Sequence, residues 1–184
     1  MRKIKKLFNS LRFLILTPFL DMQNKVINMD IERWKSILHI SGNNKQALKT
    51  LLSNHKEFRN LYIYRNTNRT VFSRLVRLLY RPLESLYIVA NEIGGGLYIQ
   101  HGFSSYIAAE SIGENCWINQ MVNIGYKDNT GAPRIGNNVT VTCGAVVLGN
   151  ITIGDNAVIG ANAVVVKDVE PGAVMGGVPA RRIK

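Results

Sequence analysis

A strict six-residue repeat runs through the second half of the chain and limits the folds that it can adopt. Neither the 3.6-residue period of a helix nor the two-residue period of a flat strand explains a spacing of six. A triangular coil does, because each six-residue unit supplies one short strand and one corner, and stacked coils satisfy one another's backbone groups. The aliphatic positions of the repeat are Ile112, Ile118, Ile124, Ile135, Val141, Val147, Ile153, Ile159 and Val165.

Small residues recur at fixed places within each unit. Gly follows the aliphatic residue in several units, and Gly and Asn adopt the left-handed corner conformations that a Cβ disfavours. The units Ile153–Val158 and Ile159–Val164 carry an aliphatic residue, a small residue, two free positions and a small residue in that order. This pattern resembles the hexapeptide-repeat family. The resemblance implies an all-β, left-handed parallel β-helix over residues 91–184.

The first half of the chain has a different composition and period. Residues 1–90 hold seventeen Lys and Arg against five Asp and Glu, a net charge of +12, whereas residues 91–184 hold six against seven, a net of −1. Apolar residues in 1–90 recur at helical spacing, with Asp30 as the expected N-cap of one helix and a second helix running through His55. We therefore expect a small α-helical N-terminal domain (1–90) before the β-helix domain (91–184). His39 and His55 are expected at a helix surface or in packing.

Acyl transfer to a hydroxyl requires a base, and His101 is the one histidine of the repeat half. Neutral imidazole can remove the hydroxyl proton during attack on a thioester. The segment Gly94–His101 resembles the part of bacterial serine acetyltransferases that ends in the catalytic His, and Gly177–Arg181 resembles an ending shared with sugar O-acetyltransferases. The resemblance implies acetyl-CoA as co-substrate, direct transfer with His101 as general base, and no metal. The cofactor contacts that it implies are Gly144, Ala145, Gly160, Ala161, Lys167, Arg181 and Arg182.

Departures from the serine acetyltransferase pattern direct the prediction of the acceptor. Gln100 replaces an acidic residue, Gly131–Pro133 lies where Arg-His-Pro is expected, and the Asp that orients the catalytic His falls at Leu86. Glu84, Glu92 or Glu110 could supply that acid. Because an amino acid requires fixed opposite charges, we expect a saccharide acceptor, a cell-surface polysaccharide or its precursor, with serine O-acetylation in cysteine biosynthesis as the alternative. The expected acceptor contacts are Gln100, Tyr106, Trp117, Asn119, Gln120, Asn123 and Tyr126.

Other function classes receive less support. A zinc hydratase on the same coil needs about three His ligands, and a non-catalytic β-helix scaffold leaves His101 without a purpose. Nucleic-acid binding is not indicated, since the repeat half shows no basic–aromatic interleaving. The two cysteines, Cys116 and Cys143, form no disulfide framework and are expected in packing positions.

The resemblance also implies an assembly and a compartment. Members of the family are typically trimers, so we expect a homotrimer or a dimer of trimers. The basic start of the chain lacks a cleavage site and an uninterrupted apolar run, which predicts a cytoplasmic protein. The basic N-terminal half could rest on the inner membrane face. An extruded loop is expected near 126–134, where eleven residues separate Ile124 from Ile135 instead of six.

Overall fold

The computed structural model describes residues 2–184, without the side chains of residues 2, 3, 5 and 6. It divides into a helical unit that ends at Leu83 and a second unit, Glu84–Lys184. The second unit begins seven residues before residue 91, because the strand Leu86–Ile88 and the segment after it precede the periodic part of the sequence. The helices of the first unit are α1 (Arg2–Leu16), a 3-10 helix (Thr17–Phe19), α2 (Lys25–Ile37), α3 (Asn44–Asn54), α4 (Lys56–Arg65) and α5 (Thr70–Leu79).

Asp30 is not an N-cap. Asn24 caps α2 by accepting a hydrogen bond from the backbone N–H of Ile27, so the helix begins six residues earlier than expected. Asp30 is buried inside the unit, where Arg65 donates from Nε to Oδ2 at 2.8 Å and from Nη2 to Oδ1 at 3.1 Å. A buried carboxylate needs such a partner, and sequence spacing could not reveal one that lies 35 residues away.

Aromatic packing fills the centre of the helical unit. Trp34 is 1% exposed, and its ring meets that of Phe58 edge to face with centroids 5.2 Å apart. The expected second helix is two helices, because His55 adopts an extended conformation between α3 and α4 and caps both. His55 is half-buried with its ring 6.1 Å from Trp34, whereas His39 is exposed.

The second unit is a parallel β-helix of short strands stacked in three sheets. Each coil contributes one strand to each sheet, and the register places repeat positions above one another, for example Ile118 against Val141. The aliphatic side chains fill the interior and are almost fully buried. The strands are β1 (Leu86–Ile88), β2 (Glu92–Ile93), β3 (Tyr98–Ile99), β4 (Ser105–Ile107), β5 (Ser111–Ile112), β6 (Trp117–Ile118), β7 (Asn123–Gly125), β8 (Arg134–Ile135), β9 (Thr140–Val141), β10 (Val146–Leu148), β11 (Thr152–Ile153), β12 (Val158–Ile159), β13 (Val164–Val165), β14 (Val174–Gly176) and β15 (Arg181–Arg182).

The three sheets have different ends. The sheet orders are β1-β4-β7-β10-β13, β2-β5-β8-β11 and β3-β6-β9-β12-β14-β15. All neighbours are parallel except β15, which folds back antiparallel on β14 and pairs Gly176 with Arg181. The chain therefore supplies its own last strand at the C-terminal edge of the third sheet.

Corners of the coil show why Gly and Asn occupy fixed positions. Asn115, Asn138, Asn156 and Asn162 all have φ between 56° and 60°, the left-handed region that Asn tolerates. At Gly113 the requirement is space, because an added Cβ would lie 2.6 Å from the backbone carbon of Gly136 in the next coil. These constraints explain the regularity of the repeat. Within the described residues, no helix has the length and apolar character that crossing a membrane requires.

Candidate functional site

His101 lies at a corner of the coil directly after β3. Its φ of 63° is in the left-handed region, and its carbonyl oxygen accepts a hydrogen bond from the backbone N–H of Phe103 at 2.5 Å. The side chain is exposed, and no described residue hydrogen-bonds to its imidazole. The corner therefore presents a ring whose nitrogens are available to an acceptor hydroxyl.

A small polar network lies beside His101. Gln100 is half-buried, and its Oε1 accepts hydrogen bonds from Trp117 Nε1 and from Asn119 Nδ2, each at 3.3 Å. The Trp117 ring in turn packs edge to face on Tyr98, with centroids 4.7 Å apart. Because both lone-pair positions of the Gln100 oxygen are used, its Nε2 is the atom of this amide that can bind a ligand.

A groove of about 500 Å³ opens on the sheet that contains β1, β4 and β7. Tyr106 and Asn123, both predicted acceptor contacts, line it from β4 and β7 and are exposed. The ring of Tyr106 lies 6.0 Å from that of Tyr87. The remaining lining residues include Glu84 and Ser104, three positions after His101. Sequence reasoning missed Ser104 and Tyr87, because neither lies in a regular unit and no periodic signal marks them.

Five of the seven predicted acceptor contacts fall in two groups. Gln100, Trp117 and Asn119 form one network, and Tyr106 and Asn123 line the groove. Gln120 is half-buried, and its enclosed Oε1 has no hydrogen-bond partner within the described chain. Tyr126 is 60% exposed at the start of the loop between β7 and β8 and joins neither group.

The position of the expected orienting acid holds a buried leucine. Leu86 is 4% exposed in β1, paired in register with Ser105 of β4. Of the three substitute carboxylates, Glu110 accepts a hydrogen bond from Asn91 Nδ2 at 3.1 Å, and Glu92 belongs to a different sheet. Only Glu84 of the three lines the groove with Ser104.

The cationic residues near the C-terminus divide between two environments. Lys167 and Arg181 line one cavity of about 150 Å³, together with the apolar side chains of Met175, Pro179 and Ala180. A cavity with cationic ends and apolar walls has the chemistry that a phosphate group and an alkyl arm require. Arg182 is instead paired with Glu170, with Nη1 to Oε2 at 2.7 Å.

The small residues predicted to contact the cofactor are constrained by the coil itself. Gly144 has a φ of 69°, and a Cβ there would collide with the side chain of Asn162. A Cβ on Gly160 would lie 2.8 Å from the carbonyl oxygen of Met175. Ala145 is fully buried, so only its backbone can reach a ligand, whereas Ala161 is exposed.

Neither cysteine shows the surroundings of a reactive or metal-binding group. Cys116 is buried, with Sγ 3.1 Å from the carbonyl oxygen of Gly136, and Cys143 is a half-buried free thiol. Among the residues that the structure describes, no group of three or more His, Cys, Asp or Glu side chains could hold a metal ion.

The family model described as bacterial transferase hexapeptide (six repeats) matches residues 132–167, which run from the loop before β8 to two residues past β13. This segment is similar to the hexapeptide-repeat transferases. The expected fold, a left-handed parallel β-helix preceded by helices, is confirmed by this match and by solved structures with the same fold.

Relatives in sequence come from the serine acetyltransferase branch of this family. The chain is 39% identical over 118 residues to a serine acetyltransferase of Synechococcus elongatus, covering 61% of this chain and 48% of that protein. It is 38% identical over 122 residues to the serine acetyltransferase of Staphylococcus xylosus, covering 62% and 55%. The matches therefore span about half the length of these relatives.

The similarity to solved structures extends over the helical unit as well as the coil. The serine acetyltransferase of Neisseria gonorrhoeae in complex with serine superposes with a TM-score of 0.65 at 26% identity, covering 88% of this chain and 69% of that one. A serine O-acetyltransferase from Brucella melitensis gives a TM-score of 0.66 at 24% identity, covering 93% and 70%, and shows the fold alone.

These comparisons correct the prediction of the acceptor. The expected saccharide O-acetyltransferase is wrong, because the relatives and the structural neighbours named above are serine acetyltransferases. The departures at Gln100, Leu86 and Gly131–Pro133 therefore do not assign a saccharide acceptor.

Proposed function

We propose that the chain transfers the acetyl group of acetyl-CoA to the hydroxyl of L-serine, with His101 as general base. The single observation that carries this proposal is the exposed, unengaged imidazole at the corner after β3. The serine acetyltransferase of Neisseria gonorrhoeae was solved with serine, and that of Brucella abortus with coenzyme A. These likenesses support the same pair of substrates here.

The chemistry assigned to His101 balances in one direct transfer. A neutral ring nitrogen takes the proton of the serine hydroxyl while its oxygen attacks the thioester carbonyl. The carbonyl oxygen gains negative charge, and backbone N–H groups at the coil corners are the candidate donors that stabilise it. When the carbon–sulfur bond breaks, the imidazolium returns its proton to the leaving thiolate, which gives O-acetylserine and free coenzyme A.

Acetyl-CoA is proposed to reach this corner from the cavity that Lys167 and Arg181 line. The two cations suit its phosphates, and the apolar walls suit the pantetheine arm. Arg182 takes part only if its pair with Glu170 opens. Gly144, Ala145, Gly160 and Ala161 contribute a flat surface along the coils, with backbone rather than side-chain contacts at Ala145.

The acceptor is proposed to bind between the Gln100 network and the groove. Gln100 Nε2 and Asn119 offer hydrogen bonds, Glu84 and Ser104 line the groove side, and Tyr106 supplies an apolar wall. Glu84 is proposed as the acid that positions the imidazole, in place of the carboxylate missing at Leu86. Gln120, Asn123, Trp117 and Tyr126 are proposed as outer contacts of the same site.

A homotrimer in the cytoplasm completes the proposal. The apolar side chains of Phe103, Met121 and Tyr126, near His101 in the sequence or one coil away, are 44%, 56% and 60% exposed in the single chain. Exposed apolar residues around a corner suit burial against a neighbouring β-helix. Peripheral contact with the inner membrane face belongs to the same proposal.

The test is release of coenzyme A from acetyl-CoA with L-serine as acceptor, comparing the natural chain with His101→Ala. Serine-dependent release that disappears in the variant supports the proposal. A folded natural chain that binds acetyl-CoA but shows no serine-dependent release rejects it. Equal release by both proteins would reject the role of His101.

A further inference from the structure

Helix α1 carries an apolar stripe that faces away from the helical unit. Its members recur every three or four residues and so share one side of the helix. A surface helix of a globular protein normally buries such a stripe, whereas these side chains are between 45% and 74% exposed. The stripe consists of Ile4, Leu7, Phe8, Leu11, Leu14 and Ile15.

The opposite side of α1 fixes the helix on its unit. Phe13 and Leu16 are buried, at 6% and 0% exposure. Arg12 donates from Nη1 to the carbonyl oxygen of Leu79 at 2.7 Å, and its guanidinium lies 4.7 Å from the ring centre of Tyr80. Turning the stripe inward would break these contacts, so the stripe stays outward while the unit remains folded.

The charge around the stripe indicates what covers it. The first twenty residues contain Arg2, Lys3, Lys5, Lys6 and Arg12 and no Asp or Glu. The N-terminal end of a helix carries a partial positive charge, and the cations at the start of α1 add to it. Anionic groups of a partner are therefore favourable at this end of α1. Two copies of so basic a segment would repel each other, because neither offers a carboxylate to the other. An apolar face beside a basic segment matches an anionic lipid surface instead.

We propose that α1 docks the protein on an anionic bilayer, with the stripe among the acyl chains and the basic start of the sequence attracted to the anionic headgroups. The proposed function includes peripheral contact with a membrane, and docking through α1 specifies the protein surface and the lipid charge of that contact. It does not depend on the acceptor or on His101. Apolar insertion and charge attraction act together, as stable peripheral binding usually requires two signals.

The experiment is co-sedimentation of the full chain with vesicles, without acetyl-CoA or serine. Binding to phosphatidylcholine mixed with phosphatidylglycerol is expected to be at least about tenfold stronger than to phosphatidylcholine alone, and to weaken as salt screens the charges. The variant Leu7→Ser/Leu11→Ser is expected to lose about tenfold or more of this binding. Val71→Ser on α5, which removes a side chain that is 83% exposed, is the matched control and should bind as the natural chain does.

Three outcomes overturn the proposal. Equal binding of the natural chain and the Leu7/Leu11 variant shows that the stripe takes no part. No binding of the natural chain to anionic vesicles rejects the docking. A Leu7/Leu11 variant that sediments as a smaller assembly, while vesicles have no effect, assigns the stripe to a contact between copies. Coenzyme A release measured on the same proteins in solution separates a failed docking from a failed catalytic proposal.

Discussion

Leu86 of β1 and Ser105 of β4 are register partners, and both side chains are buried. The hydroxyl of Ser105 accepts a hydrogen bond from the backbone N–H of Val122 at 3.2 Å. The pair thus contributes to packing between coils and offers no carboxylate to His101. Two residues earlier, Glu84 lines the groove that also includes Ser104.

Replacing Glu84 should lower the rate of the transfer. A carboxylate that accepts a hydrogen bond from one imidazole nitrogen fixes the ring with the other nitrogen toward the hydroxyl, and Glu84→Gln removes that carboxylate. We expect kcat to fall about tenfold, since the ring is less well oriented. The measurement is kcat for coenzyme A release at saturating L-serine and acetyl-CoA. Glu110→Gln removes an exposed carboxylate bound to Asn91 and is the control. Equal kcat values for the two variants would reject the role of Glu84.

Breaking the pair between Asp30 and Arg65 should destabilise the helical unit. Both side chains are less than a tenth exposed, so Asp30→Asn removes the carboxylate charge that Arg65 faces, at a cost of about 3–5 kcal/mol in the free energy of unfolding. Glu170→Gln breaks an ion pair of similar length between side chains that are more than half exposed, and should cost less than about 1 kcal/mol. Urea unfolding followed by circular dichroism compares the two. A similar loss in both variants would contradict the assigned difference in burial.

Two glycines of the β-helix, Gly113 and Gly125, differ in how much an added methyl group would disturb the coil. Gly113→Ala should destabilise the β-helix by about 1–3 kcal/mol, because the new Cβ would overlap the backbone of Gly136 and force the coils apart. Gly125→Ala is the matched control, since the nearest atom to its Cβ would be 3.8 Å away. Thermal unfolding should show a lower midpoint for the first variant and little change for the second. Equal unfolding temperatures for the two variants would mean that the coils can move apart at Gly113 without loss of stability.

The helical unit should lose stability on mild acidification. Burial lowers the pKa of His55 below its usual value, the nearby carboxylate of Glu57 opposing this effect and Arg59 adding to it. Below a pH of about 6.5 the unfolded chain then binds more protons than the folded one, so the stability contributed by the neutral ring is lost as pH falls. His55→Gln should reduce the loss of unfolding free energy between pH 7.5 and 5.5. The exposed His39→Gln should leave it unchanged, and the opposite pattern would contradict the assignment to His55.

The repeat made the β-helix predictable because each unit supplies its own strand, corner and core residue. Ile118 and Val141 occupy equivalent positions in sequence and lie in register in space, so local information was sufficient there. Asp30 shows the opposite case. Local capping rules predict an N-cap there, whereas its observed role depends on Arg65, which is 35 residues away in sequence. His101 could be singled out as the one histidine of the repeat. The groove of Glu84 and Ser104 could not, because those residues meet only after one coil has closed on the next.

The antiparallel return of β15 on β14 has a consequence for solubility. A β-helix ends in strands whose N–H and C=O groups could recruit another solenoid and extend into a fibre. The pairing of Gly176 with Arg181 uses the edge of the third sheet within the same chain, and two exposed arginines occupy the returning strand. Like charges on β15 would discourage end-to-end pairing with another solenoid, so the returning strand covers this end of the third sheet.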